Sequence, residues 1–226
     1  MKRAKILVLE GCDACGKSTQ IELIKEFYKS KNLKLKHIHF PMYGHNEASA
    51  IISAYLRGEY GDINTVNPKF VGMIFAMDRY FYLPTLEQDL QENDILLMDR
   101  YVFSGMAFQG AKYKTKEETL EIMNWLYDYE FKTLGLPMYD LCLFIDVSID
   151  TIKERLAIRA SKENRDYLNG KADIHEADIE FQKRVKTNYE IIFDGSNDYM
   201  KNSNATVVCE NLPPEEIFKL YEYLLK

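Results

Sequence analysis

Between an apolar run, Ile6-Leu7-Val8-Leu9, and a helical pattern beginning at Thr19 lie eight residues with the spacing GxxxxGK[ST]: Gly11-Cys12-Asp13-Ala14-Cys15-Gly16-Lys17-Ser18. A loop of this kind belongs between a parallel strand and a helix N-terminus. There, several backbone N–H groups and the positive end of the helix dipole converge on one point. Lys17 adds a cation on a flexible stem, and the Ser18 hydroxyl is suited to a Mg²⁺ shell. The residues predict a site for a nucleoside triphosphate. A glycine-rich turn without a ligand is the alternative reading.

The rest of the chain repeats the strand-then-helix pattern. Strand-like runs fall at 4–9, 34–39, 95–98, 141–146 and 205–208. Helical patterns cover about 17–31, 46–58, 67–91, 116–133, 149–161, 174–194 and 214–225. Such alternation requires crossover connections, hence an α/β fold of three layers around a central parallel five-stranded sheet. Pro84 is expected to kink or interrupt the 67–91 helix. No linker or repeat divides the chain, so residues 1–226 are expected to form a single domain.

The net charge of −6 argues against a general nucleic-acid binder. No apolar run reaches membrane-spanning length, and Met1-Lys2-Arg3 leads directly into a strand, so a cytoplasmic protein without a membrane partner is expected. Cys12 and Cys15 form a CxxC inside the loop without a second pair to complete a metal site, and Cys142 and Cys209 read as buried thiols.

A second constellation follows the run Ile95-Leu96-Leu97-Met98. Asp99 and Arg100 stand at its carboxyl end, where open parallel sheets bind ligands. Asp99 would reach the Mg²⁺ shell or the attacking oxygen, or cap a helix. Arg100 would lie between donor and acceptor phosphates. The polar stretch at about 160–173 is a candidate lid, or else a solvated loop.

Together, Glu10 to Gln20, Phe75-Ala76-Met77-Asp78-Arg79 and Asp99-Arg100-Tyr101-Val102-Phe103-Ser104-Gly105 resemble thymidylate kinases, P-loop nucleoside monophosphate kinases, over most of the chain. The resemblance implies P-loop NTPase architecture, transfer of a phosphoryl group from ATP to dTMP with Mg²⁺, and a homodimer. It implies that the loop from Gly11 to Ser18, with Thr19, holds ATP, and that Ser18 and Asp99 hold the metal. Phe75 would stack on thymine and Arg79 hydrogen-bond a base carbonyl; residues four apart share a helix face. Taken alone, the pair reads equally as core packing and a surface ion pair. Asp13 would accept from the sugar 3′-hydroxyl. Phe40-Pro41 would meet the nucleoside, Ser104 and Gln109 would line the base pocket, Tyr101 and Phe108 would shape its wall, and Tyr167 would stand near C2′.

One branch of that family carries an arginine where this chain has Ala14; in the other branch the lid supplies the cation. Arg165 is therefore expected at the phosphates and Arg159 stacked near adenine, with Lys17, Asp99, Arg100 and Arg165 as the catalytic set. Arg57 reads as a phosphate-side candidate or a solvated helix-end charge. The histidines carry no expected catalytic role, and the carboxylates of Asp173-Ile174-His175-Glu176 read as caps of the following helix. The aromatic-rich Trp125-Phe131 segment reads as core or dimer contact. Two rivals are a kinase for another acceptor and a GTPase-like switch, the latter disfavoured by the lack of an NKxD sequence.

Overall fold

The computed structural model describes residues 3–162, 165–171, 173–195, 199, 203–208 and 212–226. The five strands β1 (Lys5–Glu10), β2 (Leu35–His39), β3 (Ile95–Asp99), β4 (Leu141–Asp146) and β5 (Ser203–Val208) form one sheet in the order β2-β3-β1-β4-β5. All four pairings are parallel. β3 is buried at every position, as its unbroken apolar run requires, whereas the edge strand β2 alternates. Helix α1 (Lys17–Ser30) packs on β1, β2 and β3 and against α8 (Pro214–Tyr221). Helices α3 (Pro68–Glu92), α4 (Val102–Gly110) and α7 (Ile179–Phe193) form the other layer, where α4 also meets α5 (Lys116–Tyr127). Helix α2 (Glu47–Leu56) lies on α3, and α6 (Ile149–Lys162) follows β4.

Several local expectations are corrected. α3 runs unbroken through Pro84. Pro84 and Tyr80, whose carbonyl loses its helical donor, are both exposed, so water can serve that carbonyl in place of the missing N–H. The 116–133 pattern is α-helical only to Tyr127 and then widens into a π-helical turn, Asp128–Thr133. Helix α4 was absent from the sequence reading. It is buried on all sides, so it lacks the polar face that makes a helix periodic in sequence. The helix expected from 174 begins at Ile179, capped by Asp178, whose carboxylate accepts from Phe181 N. Asp173 and Glu176 are therefore not its caps. Of the expected lid, residues 163, 164 and 172 lie outside the described residues, as does Cys209.

Candidate active site

The sheet register puts the site at one edge. His39 and Leu9 are the register partners of Asp99 on either side, so β2 and β3 end level and β1 runs one residue further. Aligned on the same edge of adjacent strands, His39 Nδ1 and Asp99 Oδ2 are 3.0 Å apart. The other Asp99 oxygen, Oδ1, is buried without a partner. Burial alone would raise the Asp99 carboxyl, but the His39 hydrogen bond and the charges of Lys17 and Arg100 hold it far below the usual range.

The loop after β1 takes the strained path that its glycines allow. Gly11 has φ 150°, and a Cβ there would meet Cys15 Sγ at 2.7 Å and Ile145 O at 2.8 Å. Gly16, left-handed at φ 102°, caps α1 without a side-chain hydrogen bond, which leaves the first-turn N–H groups for an anion. Lys17 Nζ donates to Gly11 O (3.1 Å) and Cys12 O (2.9 Å). Arg155, from α6, donates to Cys15 O at 3.0 Å and Ala14 O at 3.3 Å, bringing a guanidinium to the loop position that lacks an arginine. Both loop cysteines are free and buried, and burial pushes the Cys12 thiol up, away from reactive thiolate.

Arg100 follows Asp99 with a left-handed backbone (φ 67°), uncommon outside glycine. Its guanidinium turns back to donate to Asp13 Oδ1 (2.5 Å), Gly11 O (2.9 Å) and Ser104 Oγ (3.2 Å). Gln182 braces the second oxygen of Asp13 at 2.9 Å. Burial raises the Asp13 carboxyl, yet Arg100, Lys17 and the Gln182 bond outweigh it and keep the group ionised. The α4 N-terminus, with Tyr101 unable to cap, is capped from the neighbouring strand. Glu10 Oε1 accepts from Tyr101 N (2.8 Å) and Ser104 N (3.1 Å), and its Oε2 from Ser104 Oγ (2.5 Å) and Tyr189 OH (2.9 Å).

These groups face a cleft of about 470 Å³, a size that suits small-molecule ligands. Its walls carry Asp13, Ala14, Cys15, Gly16, Lys17, Ser18, Thr19, Phe40, Pro41, Phe75, Arg79, Asp99, Arg100, Ser104, Gln109, Arg159, Arg165 and Tyr167, whereas the expected Gly11, Cys12, Tyr101 and Arg57 do not line it. At one end Phe75, Arg79, Phe108 and Gln109 meet; Gln109 is almost fully buried, with Oε1 unpartnered. Arg79 is no surface ion pair: it is 2% exposed and gripped by the fully buried Glu130 through Nε (2.5 Å) and Nη2 (2.7 Å). Tyr101 belongs to the core instead of the cleft wall, its hydroxyl donating to Pro137 O.

Elsewhere on the cleft wall, Glu176 gathers Arg165 and Arg159. Arg165 meets it with two bonds (2.8 and 2.7 Å) and Arg159 with one (3.1 Å). Tyr167 stacks on Tyr43 with ring centroids 3.9 Å apart, and its hydroxyl donates to Asp173. Arg57, outside the cleft, pairs with Glu59 and holds Tyr167 O at 2.6 Å. Burial, with Asp13 and Glu176 nearby, pushes Asp173 up to about 7. His175 also lines the cleft; burial and Lys112 drive it down to about 3.

Sequence reasoning missed His39, Gln182, Arg155, Glu130 and Glu176. Only Arg155 left a signal, standing four residues before Arg159 on one face of α6. The others depend on strand order or on packing between distant helices.

The family profile described as "Thymidylate kinase" matches residues 9–212. The chain is 29% identical over 185 residues to the thymidylate kinase of Mycobacterium tuberculosis, covering 81% of this chain and 83% of that protein. It is 29% identical over 154 residues to the thymidylate kinase of Homo sapiens, covering 68% and 66%. A solved structure, that of thymidylate kinase from Candida albicans, shares the fold with a TM-score of 0.70 at 23% identity, covering 99% of this chain and 92% of the other.

Proposed function

The chain belongs to the thymidylate kinase family, and from that premise we propose how its own residues carry out the family's reaction, phosphorylation of dTMP to dTDP by ATP. The loop amides and Lys17 hold the donor phosphates, Lys17 exchanging the carbonyls of Gly11 and Cys12 for phosphate oxygens. Arg155 supplies charge where Ala14 cannot, and Arg165, released from Glu176, meets the transferred phosphoryl group while Arg159 lies by adenine. Arg100, aimed by Asp13 and Gly11 O, sits between donor and acceptor and neutralises charge as it moves. The attacking atom is a phosphate oxygen, already anionic, so no strong general base is required.

Among the described residues no three His, Cys, Asp or Glu side chains gather into a metal cage. Mg²⁺ needs no such cage: it keeps several waters and binds through phosphates and one or two protein oxygens. The unpartnered Asp99 Oδ1 and the Ser18 hydroxyl fit that role. The ion would neutralise the phosphate oxygens.

The observation that carries the acceptor assignment is the far end of the cleft. Phe75 offers a face for a pyrimidine, Arg79 donates towards a C4 keto oxygen, and the orphaned Gln109 Oε1 awaits the N3–H of thymine. Asp13 takes the 3′-hydroxyl, Phe40 and Pro41 flank the nucleoside, Ser104 lines the pocket, and Tyr167 stands against C2′. A panel of dTMP, dCMP and thymidine at fixed ATP tests this. A large preference in kcat/KM for dTMP is expected; preference for thymidine would overturn it.

The reading extends to the whole chain as one kinase domain in the cytoplasm, with 160–173 as its lid. No helix among the described residues is long and apolar enough to cross a membrane. A homodimer is supported by the apolar groove on α2 and α3, where Phe70 is 67% exposed beside Ile51 and Tyr60, and which backs onto Phe75.

A further inference from the structure

Glu130 has no part in the chemistry above, yet it is a fully enclosed carboxylate, 0% exposed, paired with a cleft-lining arginine. It and Arg79 form an ion pair 0% and 2% exposed. Removing two charges from water is costly, and an apolar pair of like volume would serve packing at least as well. The pair therefore calls for a purpose other than stability.

The local backbone is built to deliver it. The π-helical turn Asp128–Thr133 closes with Leu134 N on Tyr129 O (2.8 Å), five residues back, and Leu136 N then takes Glu130 O at 3.0 Å. The wider turn sends Glu130 inward while Phe131 packs on Tyr101 and Tyr127. Glu130 takes Nε and Nη2, one whole edge of the planar guanidinium, which leaves Nη1 uncommitted on a residue that lines the cleft. Only an arginine can be fixed along one edge and still present a directed donor from the other.

We propose that Glu130 is a specificity-positioning residue: by clamping Arg79 it fixes Nη1 as a donor that accepts pyrimidine monophosphates bearing a C4 keto group and rejects those bearing a C4 amino group. A keto oxygen accepts from Nη1, whereas an amino group would set donor against donor. The inference rests on the reading that Arg79 faces the base.

The test is the ratio of kcat/KM for dTMP to that for dCMP, with the whole enzyme and ATP. Glu130→Gln keeps the shape but removes the charge and turns an amide donor on the guanidinium. It is expected to lower the ratio at least about tenfold, mainly through KM for dTMP, with KM for ATP unchanged. Glu130→Asp keeps the charge one methylene further back and is expected to fall between. Folding is checked by thermal melting, and if Glu130→Gln does not fold, Glu130→Asp decides the matter. An unchanged ratio in the folded variants would overturn the proposal, as would KM for ATP and dTMP rising together or failure of both variants to fold. Arg79→Met separates the two levels: if it too leaves the ratio intact, the base reading itself fails; if it lowers the ratio and the Glu130 variants do not, only the role of Glu130 does.

Discussion

Arg100 holds a left-handed backbone, φ 67°, at the end of β3. A left-handed backbone on a non-glycine residue persists only where its surroundings over-determine it. Here Arg100 N is tied to Leu9 O, Glu10 pins the next turn, and Asp13 and Gly11 O take the side chain. The Arg100 guanidinium, proposed to meet the acceptor, is thus set in place by the fold itself. Arg159 and Arg165 are held instead by one shared carboxylate, Glu176, which the proposed roles require them to leave. If Arg165 is the one that meets the phosphoryl group, Arg165→Ala should lower kcat by about 10³ or more, while Arg159→Ala should mainly raise KM for ATP. The reverse pattern in steady-state kinetics would exchange their roles. The residues now found lining the cleft were legible because loop spacing and strand-end charges are local in sequence. Glu176 and Glu130 were not, because a carboxylate 11 or 51 residues from its arginine has no sequence periodicity to betray it.

Among elements, the segment after α6 is the one most altered by packing. Its carboxylates looked like caps for a helix from 174, but the helix starts at Ile179 and His175 is buried instead. Tyr55 OH bonds His175 Nε2 at 3.1 Å and receives Lys112 Nζ at 2.6 Å, so α2, the loop after α4 and the loop before α7 meet at one neutral imidazole. Its folded value of about 3 lies below the unfolded 6.5. The unfolded chain therefore binds the proton first on acidification. The contribution of His175 to stability is complete above 6.5 and drains away as pH falls towards about 3, with a limiting slope of about 1.4 kcal/mol per pH unit. His175→Gln should accordingly show a shallower fall in melting temperature than the parent across that window. Parallel curves would place the imidazole in water. Helix α4 and the π-helical turn escaped sequence reading for a related reason: neither has the polar-apolar period on which such reading depends.

For the whole molecule, the sheet and its helical layers followed from the alternation of apolar runs with helical patterns, and each strand falls within two residues of its expected limits. The strand order did not follow, and it is the order that brings His39 of β2 to Asp99 of β3. The same scale carries the dimer. Phe70→Asp should convert a sedimenting dimer to a monomer, and a parent protein already monomeric would remove that proposal. The central claim is that two phosphate groups meet between the amides of the loop after β1 and the guanidinium of Arg100. A crystal structure with dTMP and a non-hydrolysable ATP analogue measures this directly. It should place the acceptor phosphate against Arg100, with thymine on Phe75 and the triphosphate over Lys17; phosphates bound elsewhere, with no ligand in the cleft between Arg100 and the loop, would contradict the account.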